Sequence, residues 1–363
     1  MGEAVARTAN ATINDVAKEA GVALGTVSNA LNHPDKVRTS TLKRVREAAA
    51  RLGYAPNQSA RMLAGGSSNT FGLILPNLDH GISLQIANGA TAEARKAGYS
   101  LLIATASNDD AIASEYRSYF MGTQVSGILM QPPAISGRTL DVSQIPIPHV
   151  FLDVQSSQPG YYVAADNAAQ GAVMAEHALS CGTHRIAVVG APSLRRLQRR
   201  LDGVELALAT AGTAHVEVLE RGAWNIARDG YDIGRELALR PVATRPDFIL
   251  ALTDVLATGI VSGVRSAGAA VPRDIRVAGC DGNPLAWSGP IPLTTIAPPG
   301  YEIGRRGVQY LMEQIEQRRT SGQAVTSENH QKLVRPFLLP RMSTGIHNGG
   351  DFADPDLDIS GYL

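Results

Sequence analysis

Thr12-Ile13-Asn14-Asp15-Val16-Ala17-Lys18-Glu19-Ala20-Gly21-Val22-Ala23-Leu24-Gly25-Thr26-Val27-Ser28-Asn29-Ala30-Leu31-Asn32 decides how the amino-terminal part of the chain is read. Ile13, Val16, Ala17 and Ala20 recur at i, i+3, i+4 and i+7, which is one face of a helix. Thr12 caps that helix, with Asp15 three residues on as its acidic partner. Gly21 ends it at a position suited to left-handed backbone. A second helix is expected over Leu24–Leu31, with Val27, Ala30 and Leu31 inward. A third spans about Ser40–Leu52, with Leu42, Val45, Ala48, Ala49 and Leu52 inward and Gly53 closing it. Three short helices with a tight turn between the first two match a helix-turn-helix.

The outer side of the second helix carries Leu24, Gly25, Ser28 and Asn29, where base edges of a major groove would lie. An asparagine such as Asn29 pairs bidentately with adenine. Thr26, Ser28 and Asn14 suit phosphate or sugar contacts that set register. The plainer alternative is a solvated helix surface. Charge adds a second observation. Residues 1–66 hold nine Lys/Arg against five Asp/Glu, whereas the rest of the chain holds 24 against 28. A basic unit of +4 on a body of −4 points to a polyanion partner for the small unit.

The 363 residues are 44% apolar, enough for a sizeable core and too apolar for general disorder. Two cysteines cannot staple a secreted scaffold of this length, and Cys181 and Cys280 show no metal spacing. Glu3 and Arg7 interrupt the region where a signal peptide needs an apolar run, and no stretch reaches membrane-spanning length. The expectation is a cytoplasmic protein without a membrane partner.

The opening stretch, continued through Val37, Thr41, Arg44, Val45, Leu52-Gly53-Tyr54, Pro56-Asn57 and Ala60-Arg61-Met62-Leu63, resembles the headpiece and hinge helix of LacI/GalR-family transcription regulators. The resemblance implies a DNA-binding headpiece over 12–56, behind a disordered tail over 1–11, and a hinge helix and linker over 57–68. Asn57, Ala60, Arg61 and Leu63 are the hinge residues it implies at the DNA. A segment this short is not a stable helix alone. In the family it orders when two copies meet over a palindromic operator, where Leu63 would wedge into the minor groove and bend the duplex. Two positions depart from the pattern. Ala23 stands where many members have a capping serine, and Gly25 removes a side chain that usually reads bases.

The remainder alternates strand and helix. Apolar strands are expected at Phe71–Leu75, Leu101–Ala104, Gly127–Met130, Val150–Leu152, Ile186–Val189, Phe248–Leu250 and Ile275–Ala278. Continuous apolar strands between helices argue parallel sheets covered on both faces. This resembles the type I periplasmic-binding-protein fold, an α/β body of two Rossmann-like lobes. The implied first lobe is 69–168 plus 298–329, and the second is 169–297 plus 330–342, with Leu333-Val334 in the second. Residues 343–363 read as a disordered tail, and glycines from Gly259 to Gly268 as helix ends.

Such sheets bind ligands beyond the carboxyl ends of their strands. Asp153, Thr253-Asp254 and Asp281 occupy those ends, and Arg200 is read as opening a helix. By the resemblance, nearest to the lactose-repressor lineage, Asp153, Arg196, Arg200, Trp224 and Asp281 belong to an effector pocket. His80, Ile82, Ser83 and Ile86 form its first-lobe wall, and Gln131, Thr253 and Asp254 complete it. Carboxylates, a guanidinium and an indole suit vicinal hydroxyls and the C–H face of a sugar. Pro298 and Gly300 replace a glutamine and a phenylalanine, so an enlarged pocket is expected. The implied partners are operator DNA, a sugar or glycoside and a second copy of the chain, with no cofactor and no metal. The reading is a repressor released by its effector. Corepressor-dependent regulation and a solute-binding protein without transcriptional role are the alternatives. Asp153 and Asp281 as a glycosidase pair lack any accompanying constellation.

Overall fold

The computed structural model describes residues 11–32, 36–54, 68–78, 81–132, 145–191, 195–212, 215–219, 226–287, 289, 291–321 and 328–345. It divides into two units, Met1–Ser68 and Asn69–Leu363.

The first unit holds α1 (Ile13–Ala20), α2 (Leu24–Asn32) and α3 (Thr39–Arg51). The Asp15 N–H donates to Thr12 Oγ1 at 3.3 Å and the Thr12 N–H returns to Asp15 Oδ2 at 2.8 Å, the reciprocal cap expected from the spacing. Gly21 is left-handed at φ 62, and its N–H reaches the Ala17 and Lys18 carbonyls. Val16, Ala17 and Ala20 of α1 meet Val27 and Ala30 of α2 and Val45, Ala48 and Ala49 of α3 in one core. Leu52 departs from the inward reading. It follows the last helical residue, and the turn leaves its side chain exposed. At Ala23 only the backbone serves α2, its carbonyl accepting from the Thr26 and Val27 N–H groups.

The second unit contains two six-stranded sheets. The first runs β11 (Asn329–Val334), β5 (Gly160–Ala165), β4 (His149–Leu152), β3 (Gly127–Met130), β1 (Thr70–Leu75), β2 (Ser100–Thr105), all parallel. The second runs β12 (Phe337–Leu339), β10 (Thr294–Ala297), β9 (Arg276–Cys280), β8 (Phe248–Ala251), β6 (Arg185–Val189), β7 (His215–Leu219), with β12 antiparallel at the edge. The interior strands of each sheet are buried on both faces. Leu73, Leu75, Val150 and Leu152 enter one core, while Ile74 and Phe151 enter the opposite one. In the second sheet Ala187, Val189 and Ile249 face one core, and Ile186, Val188 and Phe248 the other. Double burial is why these strands read as unbroken apolar runs.

The covering helices are α4 (Gly81–Lys96), α5 (Asp110–Gly122), α6 (Asn167–Ser180), α7 (Arg195–Ala211), α8 (Ala227–Ala238), α9 (Asp254–Ser266) and α10 (Gly300–Ser321). Gly259 and Gly263 correct the reading of this stretch as helix ends. Both lie inside α9, where a Cβ would strike the Ala227 and Tyr231 carbonyl oxygens of α8. Only Gly268 follows the helix end, with φ 85. Gly171 of α6 meets the Arg200 carbonyl of α7 in the same way, so this close approach helps set where Arg200 stands.

Three crossovers join the lobes, at Asp166, at Pro298-Pro299 and at Arg335-Pro336. The third corrects the expected boundary. Residues 330–334, including Leu333-Val334, complete β11 in the first sheet, and only β12 belongs to the second. The Asp166 N–H donates to the Val334 carbonyl, tying two crossovers together. The body also runs past 342. Ser343 Oγ bonds the Val277 carbonyl at 2.6 Å, and Ser343 and Thr344 are buried, so they belong to the second lobe.

Candidate effector cleft and nucleic-acid face

Arg200 organises the second-lobe side of the cleft. It sits in the second turn of α7 rather than opening that helix, and its side chain is only 3% exposed. Its Nη1 donates to Asp281 Oδ1 at 2.9 Å and to the Leu252 carbonyl at 2.7 Å. Its Nε donates to Asn167 Oδ1 at 3.0 Å. Asn167 in turn donates through Nδ2 to the Ala165 carbonyl at 3.3 Å, the last residue of β5 in the other lobe. Burial alone would weaken the guanidinium's hold on its proton. The neighbouring carboxylates Asp281 and Asp153 oppose that, and Arg200 stays a cation. Cys280 remains a thiol because burial pushes it up, and it donates to Gln170 Oε1 at 2.9 Å.

The first lobe answers with Asp153, directly after β4. Its carboxyl is raised by burial and by Asp281, against the pull of Arg196, Arg200 and Gln131. Gln131, directly after β3, donates to Asp153 Oδ2 at 3.4 Å and accepts from Ser83 Oγ of α4 at 2.9 Å. Asp153 and Asp281 both hold backbone conformations that favour glycine, with φ 59 and φ 125. Strained residues of this kind cluster at binding and catalytic sites. The cleft therefore brings together Ser83, Gln131, Asp153, Arg196, Arg200 and Asp281 from the residues singled out in the sequence.

Others go elsewhere. Ile86 is fully buried in the first-lobe core, because the α4 face packed on β1 carries it inward. Ile82 is partly buried against that same core. Thr253 spends its hydroxyl capping α9, accepting from the Leu256 N–H at 3.3 Å. Asp254 is 2% exposed and holds the loop after β9, its Oδ2 accepting from the Asn283 N–H at 2.7 Å. Burial and the charge of Asp281 raise the Asp254 carboxyl to about 7, against opposing pulls from Thr295, Asn283 and Arg341. At Gly300 a Cβ would stand 2.7 Å from Gln85 Oε1. His80 and Trp224 lie outside the described residues.

On the headpiece, Asn14, Leu24, Gly25 and Asn29 are exposed and Thr26 and Ser28 are half-buried. Leu24 is 45% exposed, a large apolar side chain at the start of α2 suited to contact with a thymine methyl. Asn57, Ala60, Arg61 and Leu63 lie outside the described residues.

Comparison with known proteins agrees with both halves. Residues 12–57 match the model of bacterial regulatory proteins of the lacI family, and residues 175–344 that of a periplasmic binding protein-like domain. The HTH-type transcriptional repressor PurR of Photobacterium profundum is 30% identical over 92% of this chain and 98% of its own. The ribose operon repressor of Bacillus subtilis is 31% identical over 83% of this chain and 91% of its own. The chain belongs to the lacI family. Among solved structures, the Lac repressor dimer bound to operator and the anti-inducer ONPF superposes with a TM-score of 0.75. It is 25% identical, covering 93% of this chain and 99% of that one.

A lacI-family chain is a transcription regulator and not an enzyme, which disposes of the glycosidase reading of Asp153 and Asp281. Among the described residues no group of three His, Cys, Asp or Glu side chains could hold a metal, and no helix is long and apolar enough to cross a membrane. Two residues at the cleft escape a sequence reading, Asn167 and Gln85. Asn167 directly follows the helix cap Asp166 at a crossover, and that position was its only signal. Gln85 is a polar residue on the buried side of a helix whose neighbours there are apolar.

Proposed function

We propose that this protein is a repressor whose hold on a palindromic operator is controlled by a sugar or other polyhydroxylated molecule bound between its lobes. The observation that carries the effector class is Arg200, anchored on Asp281, Leu252 and Asn167 and opposed across the cleft by Asp153. A cation and two carboxylates at one opening suit adjacent hydroxyls, which donate to carboxylates and accept from a guanidinium. The names of the relatives, PurR and ribose operon repressor, differ in what they imply about ligands. The cleft chemistry therefore carries the choice.

The regulator acts as a homodimer, each headpiece taking half of the operator. Edge strand β2 supports this, since Leu102 and Ile103 are exposed on it and Leu84 and Trp287 are exposed elsewhere on the body. Exposed edges bearing large aliphatic side chains are ordinarily covered in a stable protein. Asn14, Leu24, Thr26, Ser28 and Asn29 face the major groove, with Gly25 allowing close approach. Asn57, Ala60 and Arg61 stand at the hinge, and Leu63 wedges the minor groove. Effector binding changes the angle between lobes and separates the two hinges, which lowers operator affinity. This demands unequal effector affinity in the two states, because equal affinity shifts nothing.

The test is a titration of operator-bound protein, followed by fluorescence anisotropy, with ribose, galactose, glucose, cellobiose and lactose. Release by at least one of them supports the proposal. Tighter binding in its presence makes the ligand a corepressor, and no response to any of them removes the sugar reading.

A further inference from the structure

α7 follows β6, so its first turn stands at the carboxyl ends of the second sheet, the side on which such sheets bind ligands. That turn opens with Arg195-Arg196 and holds no acidic residue. The amino end of a helix carries partial positive charge and favours anions, so arginines there run against the helix dipole. Arg196 stands one turn before Arg200, at i and i+4 on one face of α7. Arg200 directs that face toward Asp281, which its Nη1 meets at 2.9 Å. The lobes touch here, since Gln85 Nε2 of α4 donates to the Gly282 carbonyl at 3.0 Å, one residue beyond Asp281.

The two guanidinium groups differ in what they are given. Arg200 is buried and held by Asp281, Leu252 and Asn167. Arg196 is half-buried, and among the described residues no hydrogen bond or ion pair holds its side chain. Across the cleft it acts on Asp153 of the first lobe, whose carboxyl is raised by burial against the pull of Arg196. Asp153 is half-buried too, and the Asp281 side chain is 28% exposed. All three groups thus keep surface open to solvent while the lobes are in contact. The opening holds an accessible cation without a partner of its own. A guanidinium fork matches the paired oxygens of a carboxylate or a phosphate, and such charge-assisted bonds are the strong ones.

We propose that the effector is an anionic sugar: its hydroxyls meet Asp153, Asp281 and Arg200, and a carboxylate or phosphate on the same molecule pairs with Arg196. The inference rests on the cleft reading above and narrows its ligand class. A neutral sugar leaves Arg196 unpaired, whereas an anion satisfies both the guanidinium and the positive end of α7.

The experiment uses the full chain and isothermal titration calorimetry. Glucose, galactose and ribose are compared with glucuronate, galacturonate, glucose 6-phosphate and ribose 5-phosphate on wild type, Arg196→Gln and Arg196→Lys. At least one anion is expected to bind wild type about 10- to 100-fold more tightly than its neutral parent, the worth of a hydrogen bond to a charged group. A larger gain for a uronate or for a phosphate ester identifies the anionic group. On Arg196→Gln the anion and its parent bind about equally. Arg196→Lys keeps the charge and loses the fork, so part of the gain remains, and it covers the case in which Arg196→Gln does not fold. Neutral parents that bind wild type as tightly as every anion, or a gain unchanged in both variants, overturn the inference and leave the cleft reading standing. Wild type that binds none of these ligands overturns both.

Discussion

Removing the Arg200 side chain tests whether the cleft is organised around it. In Arg200→Ala, Asp281 loses its ionic partner, and Leu252 and Asn167 lose their donors. Breaking one side of a buried ion pair costs about 3–5 kcal/mol, because the surviving charge is left unpaired. The Asp281 side chain is 28% exposed, and water reaching it places this case near the lower end, at about 3 kcal/mol. For a body of this size each kcal/mol lowers the melting temperature by roughly 2–4 °C, so a fall of about 6–12 °C is expected. Asp281→Asn in the Arg200→Ala background removes the stranded charge and recovers about 1–2 kcal/mol, a coupling typical of residues in direct contact. Urea melts of wild type, both single variants and the double variant give the cycle, with m-values checking that the unfolded states match. A coupling below about 0.5 kcal/mol would refute the reasoning, since that is what distant, independent residues show.

Other consequences are equally measurable. The Asp254 carboxyl, raised to about 7, keeps in the folded state a proton that the unfolded chain releases near 3.9. Its contribution is full below about pH 4 and is lost as the pH rises through about 7, by at most about 4 kcal/mol. Burial lowers His149 and His177, whose contributions run the opposite way, so the comparison is with Asp254→Asn. That variant should be flatter between pH 4 and pH 7 in denaturant melts, and equal slopes would remove Asp254 as their source. Gly263→Ala gains about 1 kcal/mol of helix propensity but drives a methyl into the Tyr231 backbone. Overpacking of about 1–3 kcal/mol or more should win, giving a lower melting temperature, and a more stable variant would contradict the close α8–α9 approach. Leu63→Ala should weaken specific DNA binding far more than nonspecific binding, and equal losses on both DNAs would sink the wedge assignment.

What the sequence discloses follows the range of the interactions involved. The Thr12–Asp15 cap and Gly21 operate within one helical turn, so spacing alone reveals them. The interior strands are legible because burial on both faces leaves only apolar residues in them. β11 is harder: Asn329-His330-Gln331-Lys332 form a polar edge, and nothing local says which sheet that edge joins. Gly259 and Gly263 look like breakers until α8 is brought against them, because the reason for a glycine there lies in the opposing backbone. The cleft divides similarly. Asp153 and Asp281 announce themselves at strand ends, and Arg200 by its match to family residues. Asn167 acts on a partner 33 positions away and Gln85 on one 197 away. Thr253 and Asp254 show the reverse: residue types suited to a ligand are used for a helix cap and a loop anchor.

The central claim is that the headpiece reads one palindromic DNA sequence on behalf of the ligand-binding body. Selection of genomic DNA fragments at fixed, near-physiological salt, using the full-length protein beside a version lacking residues 1–66, tests it most directly. A palindromic site enriched by the full-length protein alone is expected, with half-sites one helical turn or a multiple apart. Enrichment of the same fragments by both proteins, or of no sequence by either, would contradict it.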